Sequence, residues 1–229
     1  MTPTGSRPNS GILGYQRLKH DIIRGTYTPG EKLLMNRLKS RYDLGVGPLR
    51  EALSQLVSER LVVAISQRGY RVASMSIQEL RDIYEARAHV EGIILELAIA
   101  RGGDEWEADI LAKSHTLSKV TKVRNSDEML DVWDLRHKSF HASIASGCQS
   151  PYLLQTRDSL FDQAERYRHL WLCHTVFSED ALEKKRQEHA ELIEIILSRD
   201  ASKASKRMYE HLMTPIPIIE KILTERGFN

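Results

Sequence analysis

Cysteine is nearly missing from this chain: Cys148 and Cys173 are the only two among 229 residues. They share no ligand-like spacing, which argues against a disulfide scaffold and fits a reducing cytoplasm, where a thiol behaves as a small hydrophobe. Long apolar runs are missing too. None approaches the roughly 20 residues that cross a bilayer, so no membrane partner is expected. The opening MTPTGSRPNSG has no apolar signal core, and residues 1–11 read as a short flexible tail. Repeats and low-complexity tracts are absent as well, which leaves ordinary folded domains in a soluble, cytoplasmic protein.

Charge is present in quantity but unevenly placed. Residues 1–76 carry 12 Lys/Arg against 5 Asp/Glu, a net of +7, whereas residues 77–229 carry 21 against 26, a net of −5. A basic first third on an acidic remainder points to a nucleic-acid-binding head on a body with another task. Surface charge alone often produces such a contrast, so the reading needs a motif beside it.

That motif lies between Pro48 and Met75, PLREALSQLVSERLVVAISQRGYRVASM. A helix from about Pro48, tolerated at a first helical position, ends near Glu59. The β-branched runs LVVAIS and YRVAS follow, joined by Gln67-Arg68-Gly69 as in a hairpin. Upstream, apolar residues predict helices from about Ile12 to Arg24 and from Met35 to Tyr42, separated by the breaker Pro29-Gly30. Three helices and a hairpin make a winged helix-turn-helix over residues 12–75, a module that lays one helix in the major groove of double-stranded DNA.

Ser76-Ile77-Gln78-Glu79 has the form of a capping box and opens a second domain, residues 76–229. From there every segment has helical period. Helices are expected near 77–101, 104–124, 127–146, 151–175, 179–199, 201–213 and 215–226, with Gly102-Gly103, Gly147 and Ser150-Pro151 as breaks. The fold class is mainly α: a winged head and an all-helical bundle of six or seven helices.

Among nine histidines, four stand out. His137 and His141 are four apart and share a helical face; His189 and His211 lie on two later helices among apolar neighbours. A lone histidine on an apolar face is ordinarily a satisfied core residue, so the grouping carries the interest.

Several segments in order resemble a known family. GTYTPGEKL, PLREALSQLVSERLV and RGYRV resemble the DNA-binding domain of GntR-family transcription regulators. IYEARAHVEGIILELAIARG, FHASIASGCQSPYL and EHAELIEIILSRDASKASKRMYEHL resemble the effector (FCD) domain of that family's FadR-type branch. SRYDLGVGPLREALSQLVSERLV, AIARGGDEWEADILAKSH and HLMTPIPII are similar to the family's glutarate-responsive repressors.

The resemblance implies a homodimeric repressor of operator DNA, released by a small dicarboxylate such as glutarate, in genes for breakdown of glutarate, lysine or 4-aminobutyrate. Another small organic acid is the alternative effector. A metal-dependent enzyme is a distant third reading, because no nucleophile or general base pairs with the histidines. For DNA, the resemblance points to Arg50 on the recognition helix, to Asn36 and Arg37 on the helix before it, and to Arg68 and Gly69 at the wing tip, with Tyr70 packing the hairpin. Gly45, Val46 and Gly47 stand where the family carries a Ser-Arg-Thr triplet, so Val46 replaces an arginine that reads a base. An isolated arginine is ordinarily a solvated charge.

For the effector, the resemblance places a divalent metal among three histidines and an aspartate. His141, His189 and His211 match the histidines, and His137 stands in place of the aspartate. That exchange favours Zn or Ni over oxygen-preferring ions. Without metal, two of the imidazoles would have to be protonated to hold a carboxylate. Arg87, Tyr84, His137 and Arg168 are the candidate acid-binding residues; Arg136 and Arg166 are weaker ones. Trp171 reads as a pocket wall or, more ordinarily at helical spacing, as plain core, and Asp134 as a residue that orients an imidazole or equally as a surface charge.

Overall fold

The computed structural model describes residues 10–173 and 175–228. Most of the expected tail therefore lies outside the described residues, although helix α1 starts at Ser10, two residues earlier than expected. Chain contacts divide the protein into two compact units between Ser76 and Ile77. No helix among the described residues is long and apolar enough to cross a membrane.

The first unit holds α1 (Ser10–Ile23), α2 (Met35–Tyr42), α3 (Val46–Ser58) and three strands: β1 (Lys32–Leu33), β2 (Val62–Ile65) and β3 (Gly69–Val72). The strands pair antiparallel in the order β1-β3-β2, with Val62 opposite Val72 and Leu33 opposite Tyr70. Two residues are too short to show a periodicity, so β1 is invisible in the sequence; pairing with β3 alone makes it a strand. Leu18, Ile22, Leu38, Leu49, Leu53 and Leu56 close the core beneath the sheet.

Helix α3 begins at Val46 and not at Pro48. The first four amides of a helix have no intrahelical partner, so a proline at the third position forfeits no hydrogen bond.

The second unit is helical throughout its described residues: α4 (Ile77–Arg101), α5 (Asp104–Ser118), α6 (Ser126–Glu128), α7 (Leu135–Ser146), α8 (Pro151–Leu172), α9 (Glu179–Leu197), α10 (Ala201–Met213) and α11 (Ile216–Glu225). Helices α6 and α7 are joined by a π-helical segment, Met129–Asp134, where one unbroken helix was expected. Helix α5 stops six residues short of its expected end, and Val120 and Val123 of the following loop are buried. Long α4 packs most extensively against α10 and α8. At Gly147 a Cβ would lie 2.6 Å from the Trp106 indole nitrogen, so the glycine makes room for that ring as well as breaking the helix.

Candidate functional site

In the first unit, burial divides α3 into two faces. Leu49, Ala52, Leu53 and Leu56 face the core. Val46, Gly47, Arg50, Glu51 and Ser54 are exposed, at the spacing that keeps side chains on one helical face. Arg50, Arg37 on α2 and Arg68 at the hairpin tip are all exposed, with no hydrogen bond or ion pair to their side chains among the described residues. Asn36 is partly committed: its Oδ1 accepts the Arg37 amide at 2.9 Å.

Gly45 caps α3 without a side chain to fill the capping role, and Gly45, Val46 and Gly47 are all exposed. Gly69 takes φ +90° beside Gln67 at +57°, closing the hairpin; a side chain is strained in that region and glycine is not. Tyr70 is half-buried against the core. The unit thus presents the exposed cations Arg37, Arg50 and Arg68 and a helix face with small residues at its start. This is chemistry suited to phosphates and base edges.

In the second unit, four histidines meet in the core: His137 and His141 from α7, His189 from α9 and His211 from α10. One nitrogen of each lies within 4.8 Å of those of the other three. Their helices bring them there. On α9, His189 shares the buried face with Leu182, Leu192 and Ile193. On α10, His211 shares it with Ala204, Met208 and Leu212. Nε2 of His141 lies 3.1 Å from Nε2 of His137 and 3.2 Å from Nε2 of His211. Nε2 of His189 is buried with no hydrogen-bond partner, and so is Nδ1 of His211, which sits 3.5 Å from the Glu188 carboxylate.

Burial pushes all four imidazoles below the ordinary histidine pKa, His137, His141 and His189 well below it. Neighbouring imidazoles and cations push the same way, and Glu188 opposes the shift at His211. The cluster therefore favours the neutral form: charging one imidazole here costs desolvation as well as repulsion from Arg168 and Lys185. Neutral imidazole lone pairs are what a divalent ion takes up. A buried, nitrogen-only set with an unpartnered Nε2 fits such an ion, and fits zinc or nickel better than calcium or magnesium.

The cluster forms one wall of a cavity that encloses about 540 Å³ of empty space, mouth included. Four cations line it: Arg87, Lys138, Arg168 and Lys185. Three are already neutralised. Lys138 pairs with Asp134 at 2.7 Å and Glu165 at 2.5 Å, Arg168 with the same two carboxylates, and Lys185 with Glu188 at 2.8 Å.

Arg87 is different. It reaches Glu91 only at 3.6 Å, Glu91 is engaged by Arg157 at 3.0 Å, and Nε of Arg87 has no partner. Burial pushes its guanidinium pKa down, opposed by Glu91. The Tyr84 hydroxyl, its pKa pushed up to about 12 by burial, and the Trp171 indole N–H are likewise buried without partners. Three unsatisfied donors around one cavity are costly unless a polar ligand meets them.

Trp171 is buried and also lines the cavity. Asp134 touches no imidazole in a hydrogen bond; it holds Arg168 and Lys138, and Arg168 Nη2 lies 3.2 Å from Nδ1 of His137. Arg136 donates to the Thr116 carbonyl, and neither it nor Arg166 lines the cavity. Lys138, Phe161, Lys185 and Glu188 were not anticipated. The one signal for them was adjacency: Lys138 follows His137 and Glu188 precedes His189.

Residues 15–72 match the model for bacterial regulatory proteins of the gntR family, and residues 82–214 match the FCD domain. The HTH-type transcriptional repressor GlaR of Escherichia coli (strain K12) is 60% identical over 214 residues, 93% of this chain and 97% of that protein. The HTH-type regulator BphR of Paraburkholderia xenovorans (strain LB400) is 32% identical over 209 residues, 90% of this chain and 84% of its own length. Among solved structures, E. coli McbR/YncC matches with a TM-score of 0.75 at 18% identity, over 94% of this chain and 99% of that one, a likeness of fold.

Proposed function

Because the chain belongs to the gntR family of bacterial regulatory proteins and its body is an FCD domain, we propose that it is a transcriptional repressor released from operator DNA by a small dicarboxylate, glutarate first. The single observation that carries the effector reading is the cavity, which offers an unsatisfied arginine, hydroxyl and indole N–H opposite a buried histidine cluster. The similarity to GlaR supports the repressor role, and the resemblance to glutarate-responsive repressors supports the choice of acid. In this reading the protein is a DNA-binding regulator and not an enzyme.

Arg87 takes one carboxylate of the acid in its planar fork, a geometry a lysine does not supply. Tyr84 and Trp171 donate to the same end. A divalent ion, zinc or nickel, belongs in the histidine cluster and would supply a Lewis-acidic partner for the second carboxylate. Lys138, Arg168 and Lys185 keep their own carboxylates and balance the charge of the wall. Binding of the acid has to favour the DNA-incompetent state of a homodimer by several kcal/mol; reversing a 99:1 population takes about 5.5 kcal/mol.

On the head, Arg50, Asn36 and Arg37 face the major groove, while Arg68 and Gly69 approach the backbone or minor groove. Gly45, Val46 and Gly47 replace base-reading donors with close backbone approach, and Val46 is shaped to meet a thymine methyl. The test is a gel shift on duplex DNA from upstream of the gene, titrated with glutarate, succinate and adipate. Release by glutarate alone supports the reading. Binding that no dicarboxylate disturbs keeps the DNA reader and discards the effector; release by one of the other acids moves the assignment to that acid.

A further inference from the structure

Two of the four histidines, His211 and His137, have outer contacts of opposite polarity. A metal-bound imidazole ordinarily carries its proton on the nitrogen facing away from the ion and donates it to a carboxylate or carbonyl. His211 is oriented for that arrangement: Nδ1 lies 3.5 Å from the Glu188 carboxylate without a hydrogen bond to it, and Nε2 faces the cluster. His137 has the reverse. Its Nδ1 faces Nη2 of Arg168 at 3.2 Å, and a guanidinium has only donors. Nδ1 must therefore accept, so the single proton of a neutral His137 is on Nε2, the nitrogen pointing at the cluster. A protonated nitrogen has no lone pair for a metal.

Arg168 is not free to turn away from this contact. Asp134 and Glu165 hold its other side, Lys138 ties the same two carboxylates together, and its guanidinium lies over the Trp133 ring that stacks on His137 at 4.7 Å between ring centres. His137 is thus locked between a donor and a stacked indole. Its Nε2–H points to Nε2 of His141 at 3.1 Å.

From this we infer that the metal site is a three-histidine set, His141, His189 and His211, and that His137 is a hydrogen-bond donor beside it and not a ligand. Should an ion take the His141 lone pair, the His137 N–H would lose that acceptor and become available to an anionic oxygen. This inference rests on the metal reading of the cluster given above.

Two measurements test it. First, zinc affinity is determined by chelator competition for full-length wild type and for His137→Gln, His141→Gln, His189→Gln and His211→Gln, each checked for folding by thermal melting. The expected result is that H137Q stays within about tenfold of wild type, the lower end of outer-shell effects, while the other three lose about 100-fold or more. Second, long-range proton–nitrogen NMR of histidine-labelled, zinc-loaded wild type reads the ring nitrogens directly and needs no variant. His137 is expected to show a protonated Nε2 and an accepting Nδ1, with three other rings showing metal-bound nitrogens. Four metal-bound rings including His137, or a loss in H137Q equal to that in H141Q, overturns the inference while leaving metal binding intact. A wild type that takes up no zinc, nickel or cobalt removes both the metal reading and this inference.

Discussion

The head and the body solve opposite electrostatic problems. In the head, the candidate DNA contacts Arg37, Arg50 and Arg68 are exposed and uncommitted. Each is open to water and free of side-chain hydrogen bonds and ion pairs among the described residues. In the body, Arg87, Arg168, His141, His189 and His211 are buried and His137 half-buried, among Glu91, Asp134 and Glu165. There each charge has to be paired, neutralised or left waiting for a ligand. A DNA contact gains from a cation that water already stabilises, because binding releases counterions from the phosphates. A pocket that selects a small acid gains from donors already stripped of water, because the correct acid restores what they lack. The same residue type, arginine, therefore serves recognition by exposure in one unit and by burial in the other.

The contrast can be broken at several points. Removing the buried donor has the largest expected effect. Arg87→Ala leaves the acid's carboxylate without its charged partner, and losses at buried charge pairs run to about 2–5 kcal/mol. The glutarate concentration for half-release in a gel shift should rise by about 30-fold or more; an unchanged value removes Arg87 from the site. Next in size is the exposed counterpart. Arg50→Ala should weaken operator affinity by about 1–3 kcal/mol and relax the preference at one base position if it reads a base, as fluorescence anisotropy on a panel of single-base variants would reveal. Equal loss on every sequence would make Arg50 a phosphate contact.

The histidine cluster makes a pH prediction. Its folded-state pKa values lie below the ordinary value of 6.5, so the unfolded chain binds more protons below that pH. The stability of chelator-treated protein is then fully present above pH 6.5 and is lost as pH falls. The slope reaches about 1.4 kcal/mol per pH unit for each imidazole that stays neutral. Denaturant unfolding at pH 7.5, 6.5 and 5.5 measures it, and a flat profile across the last two would show that the imidazoles are not held neutral. The smallest effect belongs to the wing. Arg68→Ala should lower the slope of log affinity against log salt by about one phosphate contact while leaving sequence preference alone. Equilibrium binding at four salt concentrations reads the slope, and a shifted base preference would move Arg68 into the groove.

Much of this was readable in the chain. The π-helical segment before His137 was not, since its residues are ordinary helix formers and only the packing of Trp133 and Asp134 distinguishes it. Nor was β1, whose two residues become a strand only beside β3. The four histidines could be picked out by spacing and by their apolar neighbours. Their neutrality could not, because it depends on burial and on cations from α4, α8 and α9. Trp171 could be read as core or as pocket wall from its spacing, and it is both, because the same helical face meets core at one depth and empty space at another.

By itself, the sequence determined the local and periodic features: a basic head of three helices and a hairpin, a helical body, and the set of residues able to carry each chemistry. Tertiary structure alone decided which polar groups were left without partners. Of four cations lining the cavity, three are neutralised by carboxylates on α8, on α9 and on the π-helical segment, and Arg87 is left with a 3.6 Å approach to a Glu91 that Arg157 already engages. The physical reason is range. Helical periodicity is set by neighbours within a turn, whereas pairing and desolvation are set by side chains that meet only after the helices have packed.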